Sequence, residues 1–289
     1  MRLTLPKISL PSFKKTKASL AVQINDEVLR ILELSDEKKP VFEPVEVLWG
    51  EMDEKQKVDI LKSYVGKYNL RDKEVISCIP ANDGLLKLYK YPATMSSKDL
   101  QHAIDWAIKR ELSMFKEATV YDYFILERSK EDKNVVVLLT LAKEDSINKV
   151  RRFLEPAGIR LSILDYEVTS IINYGLYSKL SVPFVILYID YYYSVLVSYS
   201  HTNVVYFTVP WSYRESTDEG SLEEFLAEVR NIVVINDLSS LCLAGPILAE
   251  EKLLTRILET LPILTLLDLG AVKANFFIPY ILSIRGMQG

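Results

Sequence analysis

Two stretches of this chain, "SLAVQINDEVLRILEL" from Ser19 and "FVILYIDYYYSVLVSYS" from Phe184, share one layout: a β-rich run, a short break and a second β-rich run. Each reads as a hairpin, and helix and strand patterns follow each in similar order, beginning at about Leu20 and again at about Val185. A chain that repeats a hairpin, a helix and a strand in this way is restricted to an α/β fold of two related halves. The two turns differ in chemistry. Asn25, Asp26 and Glu27 are ordinary turn formers. The second turn is Asp190 followed by Tyr191, Tyr192 and Tyr193, where a short hairpin loop usually takes glycine, asparagine or aspartate to reach positive φ. The tyrosines imply a looser loop, or the loss of whatever needed a glycine there.

Between the hairpins, residues 53–68 have a helical apolar face in Val58, Ile60, Leu61 and Val65, and "EVISCIP" is a short buried strand ended by Pro80. "GLLKLYKYP" reads as a strand. "SSKDLQHAIDWAIKRELSMF" reads as an amphipathic helix opened by Ser96 with Asp99 three residues on. Two strands, "TVYDYFILE" and "NVVVLLTLAK", follow around the charged turn "RSKEDK". A helix over about 145–156, a strand "IRLSILDYE" and a helix near 167–180 lead to Pro183. Beyond the second hairpin come the strand "NVVYFTVPW", a helix whose start is read at Ser221 with Glu224, the strand "SSLCLAG" and a helix over 249–260.

Composition narrows the function. The 289 residues are 49% apolar and suit a chain that buries a core. A net charge of −4 leaves no footprint for nucleic acid. Cys78 and Cys242 sit in apolar strand runs and read as reduced core thiols. His102 and His201 lie in no metal-ligand spacing, so no metal site is expected. The C-terminal "LPILTLLDLGAVKANFFIPYILSI" is interrupted by Asp268, Lys273 and two prolines, and the start has neither a continuous apolar core nor a cleavage site. A cytoplasmic location is the expectation. Residues 1–17 form a basic leader in which Arg2, Lys7, Lys14, Lys15 and Lys17 face no acid.

The duplicated order is that of the actin-like (ribonuclease H-like) two-lobed fold, and the chain resembles the PilM proteins of type IV pilus assembly, in the superfamily that includes FtsA and GspL. "SLAVQINDEVLRILEL" stands where that family has its first phosphate hairpin, and residues 185–209 where it has the second. "VISCIPANDGLLKLYKYPATMSSKDLQHAIDWAIKREL" is similar to its passage into an inserted subdomain, "LAKEDSINKVRRFLEPAGIRLSILDYEVTSI" to its crossing between lobes, and "LCLAGPILAEEKL" to its adenosine loop. The resemblance implies an inserted small α/β subdomain and a reduced second lobe. The divisions expected are the leader at 1–17, a first core lobe at 18–83, the inserted subdomain at 84–145, the crossing at 146–182, and a second core lobe at 183–289 whose end returns to the first.

The same resemblance places degenerate remnants of a nucleotide site at Asn25, Asp190, Ser194 and Gly245. Where the family has an Asp-X-Gly-Ser type of turn, this chain has Gln23, Asn25, Asp26 and Glu27, which would set two carboxylates against a polyphosphate. A tyrosine replaces the glycine of the second loop, and Pro246 removes a donor beside Gly245. The wall subdomain expected between Trp211 and Ser221 is reduced to "SYRESTDEG". These departures disfavour ATP and magnesium and imply no enzyme activity; the tyrosines are expected to fill the vacated cleft, each hydroxyl with a partner.

What remains is a cytoplasmic scaffold at the inner face of the inner membrane. It would hold the cytoplasmic N-terminal segment of a bitopic partner of the PilN type, through a groove at Ile79, Pro80, Leu86, Leu88, Tyr89 and Trp106. The alternatives are an actin-like ATPase using Asp190, and a GspL-like component of type II secretion. The leader, with Leu3, Leu5, Ile8, Leu10 and Phe13, is a candidate for contact with anionic lipid.

Overall fold

A computed structural model describes residues 18–125, 133–201, 203–215 and 219–288. The basic leader and all but the last residue of the "RSKEDK" turn lie outside the described residues. In chain order the first half contains β1 (Leu20–Ile24), β2 (Val28–Glu33), β3 (Val45–Leu48), α1 (Glu54–Lys67) and β4 (Glu74–Ile79). It continues with β5 (Gly84–Pro92), α2 (Ser97–Leu112), β6 (Thr119–Ile125), β7 (Asn134–Lys143), α3 (Glu144–Leu154), β8 (Arg160–Tyr166) and α4 (Glu167–Tyr177). The second half contains β9 (Phe184–Ile189), β10 (Ser194–Ser200), β11 (Asn203–Val209), α5 (Glu219–Ile235), β12 (Leu241–Ala244), α6 (Glu251–Thr260), β13 (Ile263–Leu266) and α7 (Phe277–Gln288).

The duplication is a duplication of topology. One sheet has the order β3-β2-β1-β4-β8 and the other β11-β10-β9-β12-β13. In each, the first three strands form an antiparallel meander and the last two join in parallel. Both sheets are covered on both faces, which is why "LAVQI", "VLRILE" and "FVILYI" are buried at every residue rather than alternately. On the outer faces, Leu61, Val65, Val150 and Phe153 of α1 and α3 cover the first sheet. Leu222, Phe225, Leu226 and Val229 of α5 cover the second.

The inner faces are covered by exchange. Helix α4, which ends the first half, packs on β9 and β10 of the second, and α7, which ends the second, packs on β1, β2 and β4 of the first. The residues from Phe277 to Ile284 are all buried, so α7 is apolar all round because it is surrounded by protein. Pro279 sits in its first turn, where its missing N–H removes no helical bond. Near its end, a Cβ on Gly286 would lie 1.9 Å from the Ala18 carbonyl oxygen, so only glycine lets α7 approach the chain entering β1. No helix of the described residues is long and apolar enough to cross a membrane.

Inserted after β4 is a three-stranded antiparallel sheet, β5-β7-β6. Leu100, Ile104 and Ile108 of α2 pack on its Val135, Val137, Leu139 and Leu141. The Ser96 hydroxyl caps α2 by accepting from the Asp99 N–H at 3.2 Å. The second capping expectation is corrected: α5 already begins at Glu219, so Ser221 lies within the helix and does not open it.

Candidate functional site

The two hairpin turns meet in the cleft between the sheets, and neither needs a glycine. Asn25 accepts the Glu27 and Val28 N–H groups at 2.9 and 2.7 Å, an Asx turn that holds the β1–β2 loop with its own side chain. In the β9–β10 loop the Asp190 N–H donates to the Tyr193 carbonyl at 2.9 Å, and its carboxylate accepts from the Tyr191 N–H at 2.8 Å. No residue from Asp190 to Tyr193 has positive φ. Tyrosine is therefore sterically acceptable at all three positions.

Asp190 is 1% exposed and does far more than hold its turn. Arg30 of β2, in the other lobe and fully buried, donates NH1 to Asp190 Oδ2 at 2.7 Å and NH2 to Oδ1 at 2.6 Å. The same guanidinium donates Nε to Glu46 at 2.6 Å and NH1 to Gln23 at 3.0 Å. Tyr188 donates its hydroxyl to Asp190 Oδ2 at 2.6 Å. Two planar ions thus face each other fork to fork, and each carboxylate oxygen accepts two donors. Burial alone would raise the Asp190 pKa, but Arg30 together with the Tyr188 hydroxyl and the Tyr191 N–H outweighs it and holds the carboxyl below its usual range. Burial likewise opposes the charge on Arg30, and Asp190 outweighs it, so both groups stay ionised.

The tyrosines extend this network unequally. Tyr191 donates to Glu46 at 2.9 Å, and its ring lies under the Arg30 guanidinium at 5.1 Å. Glu46 also accepts from Asn275, just ahead of α7, at 2.9 Å. Tyr193 donates at 2.5 Å to Glu167, the first residue of α4, whose other oxygen accepts the Ala81 N–H at 2.9 Å. Burial of Glu167 outweighs these two bonds and raises its pKa to about 7. Tyr192 departs from expectation. It is half-buried, and its hydroxyl has no hydrogen-bond partner among the described residues.

Of the four remnant positions, Asn25, Asp190 and Gly245 border this cleft and Ser194 does not: its hydroxyl donates to the Val209 carbonyl of β11 at 3.1 Å. Gly245 has φ +102°, and a Cβ there would stand 2.5 Å from the Ile189 carbonyl oxygen, so this glycine holds β12 close to β9. With both oxygens of Asp190 taken by Arg30, Tyr188 and the Tyr191 N–H, a metal or an attacking water reaches that carboxylate only after the ion pair opens. The residue that sequence reasoning passed over is Arg30. Its signal was a single charge inside "VLRIL", opposite Gln23 across the hairpin.

The six partner-groove candidates are not brought to one wall. Ile79 and Leu86, 4% and 3% exposed, belong to the core between the lobes, and this corrects their placement in an open groove. Strand β4 is paired on both sides, by β1 and β8, and offers no free edge next to Pro80. Strand β5 pairs only with β7 in its sheet; β11 packs against its start, where Tyr206 donates to the Gly84 carbonyl at 3.3 Å, and the rest of that edge is unpaired. Leu88 and Tyr89 point to opposite faces of β5. Tyr89 joins a cluster around the wholly buried Glu111, donating at 2.5 Å while Lys87 and Arg110 donate at 2.5 and 2.9 Å. Despite burial, these three donors lower the Glu111 pKa to about 2. Trp106 stands 62% exposed on the outer side of α2, with the Arg110 guanidinium 5.0 Å from its ring.

No protein-family model matches this sequence. No curated protein matches it either. Solved structures do. A chain of a PilM–PilN type IV pilus biogenesis complex aligns with a TM-score of 0.74 at 16% identity, over 96% of this chain and all of that one. A Bacteroides thetaiotaomicron protein described as having an actin-like ATPase fold aligns with a TM-score of 0.52 at 11% identity, over 94% and 98% of the two chains. The cytoplasmic domain of EpsL, an inner-membrane component of the Vibrio cholerae type II secretion system, aligns with a TM-score of 0.51 at 13% identity, over 93% and 94%. This chain therefore has the actin-like two-lobed fold with an inserted α/β subdomain and a reduced second lobe, and in that fold it is PilM-like.

Proposed function

We propose that this protein is a non-catalytic scaffold of a type IV pilus or related secretion assembly, working at the cytoplasmic face of the inner membrane. The observation that carries this reading is the two-point ion pair between Arg30 and Asp190, a protein cation bound where the fold's two phosphate hairpins converge. Full-length likeness to the chain of a PilM–PilN complex supports a bitopic partner of the PilN type. Likeness to the EpsL cytoplasmic domain supports the same role in type II secretion. The partner's cytoplasmic N-terminal segment is placed at the unpaired part of the β5 edge, with Leu88 on one face and Trp106 and Arg110 beside it. An extended segment pairs with such an edge through its backbone, and aromatic and arginine side chains are the ones that anchor interfaces. Residues 1–17 are assigned to anionic lipid on their sequence, where each basic residue near the surface contributes about 1 kcal/mol.

Calorimetric titration with magnesium and ATP tests the non-catalytic part, and no binding is expected. Micromolar affinity lost in Asp190→Ala would overturn it. Flotation with anionic vesicles that is unchanged on deleting residues 2–17 would remove the lipid assignment.

A further inference from the structure

Helices α4 and α7, the pair exchanged between the halves, leave an open groove of 330 Å³ between the last turns of each. Ile281, Ile284, Arg285 and Gln288 line it from α7, at the spacing of one helix face. From α4 the buried Tyr174 borders it beside Leu176, a large apolar side chain that stays 42% exposed. Arg285, the one charged residue of the lining, is paired with Asp165 at 2.9 Å. The groove therefore offers apolar surface without unbalanced charge.

The chain enters the fold on the far face of the same helix. There the Ser283 hydroxyl donates to the Ser19 carbonyl, and the Ala18 N–H donates to the Gly286 carbonyl at 3.1 Å. What precedes Ala18 thus starts beside α7, about one helix diameter, 10–12 Å, from the groove. Phe13 and Leu10 stand five and eight positions ahead of Ala18. Extended chain of those lengths spans about 17 and 27 Å, enough to round the end of α7.

We propose that Phe13 and Leu10 of the chain's own N-terminal segment fill this groove and strap α4 to α7 from outside. The occupant follows from where the segment joins the fold and how far it reaches. Its chemistry agrees: Leu10 and Phe13 flank Pro11, and in the three-residue turn that proline favours, side chains three positions apart share one side. A cavity of about 150 Å³ takes a benzene ring, so 330 Å³ holds a phenyl ring with a leucine side chain. A tether this short sets an effective concentration of about millimolar, an advantage that a separate partner lacks. Docking withholds Leu10 and Phe13 from lipid. It goes beyond the scaffold reading and does not rest on it.

The test is disulfide formation within the full chain carrying Ser12→Cys and Asn173→Cys, the second on the α4 wall of the groove. Native Cys78 and Cys242 are buried and should not take part. Val41 supplies a control of similar reach. It is 56% exposed, its N–H donates to the Glu33 carbonyl, and the adjoining Leu34 N–H donates to Ser19. Cross-linking is expected at least tenfold faster than in Ser12→Cys/Val41→Cys, and should slow to that control rate when Leu10→Asp/Phe13→Asp or Leu176→Asp is added. In the native-cysteine chain, Leu10→Asp/Phe13→Asp should also raise hydrogen exchange over 173–177 and 281–288. Equal rates at the two positions, a cross-link indifferent to the added charges, or unchanged exchange would overturn the proposal. Cross-linked dimers in place of monomers would overturn the assignment to the chain's own segment in favour of a second copy. Vesicle flotation retained without the cross-link would leave only the lipid assignment, and the reverse would leave only the groove, so the two fail separately.

Discussion

Arg30 and Asp190 come from opposite lobes, and the guanidinium of one meets the carboxylate of the other through two hydrogen bonds of 2.6 and 2.7 Å with essentially no solvent contact. Removing one member leaves the other as an uncompensated buried charge, which typically costs about 3–5 kcal/mol. Arg30→Ala and Asp190→Ala are each expected to lose about that much in urea unfolding. Arg30→Met/Asp190→Leu should lose less than either. The acid limb follows the sign of the Asp190 shift. A carboxyl held below its unfolded value contributes stability that is present above about pH 4 and lost as pH falls through the folded value. Two single variants within about 0.5 kcal/mol of wild type would show that the pair does not hold the lobes.

Glu167 titrates in the opposite sense. Its folded pKa, about 7, lies above that of an ordinary glutamate, so the folded state binds the proton more tightly. That contribution is fully present below about pH 4.3 and declines as pH rises through 7, by roughly 3 kcal/mol. Glu167→Gln should flatten stability measured between pH 5 and 8. A variant with the wild-type slope would assign the titration to another group.

Glu111 anchors the inserted subdomain through Lys87, Tyr89 and Arg110. Glu111→Ala leaves the Tyr89 hydroxyl and two cations without their shared acceptor. Because Lys87 and Arg110 reach solvent, a loss of about 2 kcal/mol is expected rather than that of an enclosed pair. Hydrogen exchange should locate it in β5 and α2. Protection lost uniformly over both lobes would contradict a local role.

At the proposed docking edge, Leu88→Asp and Trp106→Ala should each reduce capture of the partner's N-terminal segment tenfold or more, with urea midpoints close to wild type. Trp106 is mostly exposed, so its removal tests binding with little cost to packing. Capture unchanged in both variants would move the partner to another surface.

The repeated hairpins and the apolar runs were readable in the sequence because their residues are buried on both faces and obey local rules. That the chain's end returns to the first lobe was implied by the resemblance, but the packing of α4 and the helical form of the last segment were harder to see. "FIPYILSI" looks like an apolar run broken by a proline, and only the sheet of the other half explains why it is helical and apolar all round. In the cleft, Asn25 and Asp190 stood out as turn residues. Arg30 did not, because what makes a strand arginine acceptable is a carboxylate 160 positions away in sequence. Ile79 and Leu86 were placed in the groove by the resemblance, which carries a strand position across without saying what this chain packs over it, and here both side chains are buried.

The exchange of α4 and α7 also governs how the protein comes apart. Each half borrows a layer from the other, so a lobe separated from its counterpart would show a bare apolar sheet face to water. The two lobes cannot behave as beads that melt one after the other. Loss of either helix bares the inner face of the sheet it covers and breaks the contact between α4 and α7, and the molecule should unfold in a single cooperative transition although its architecture is double.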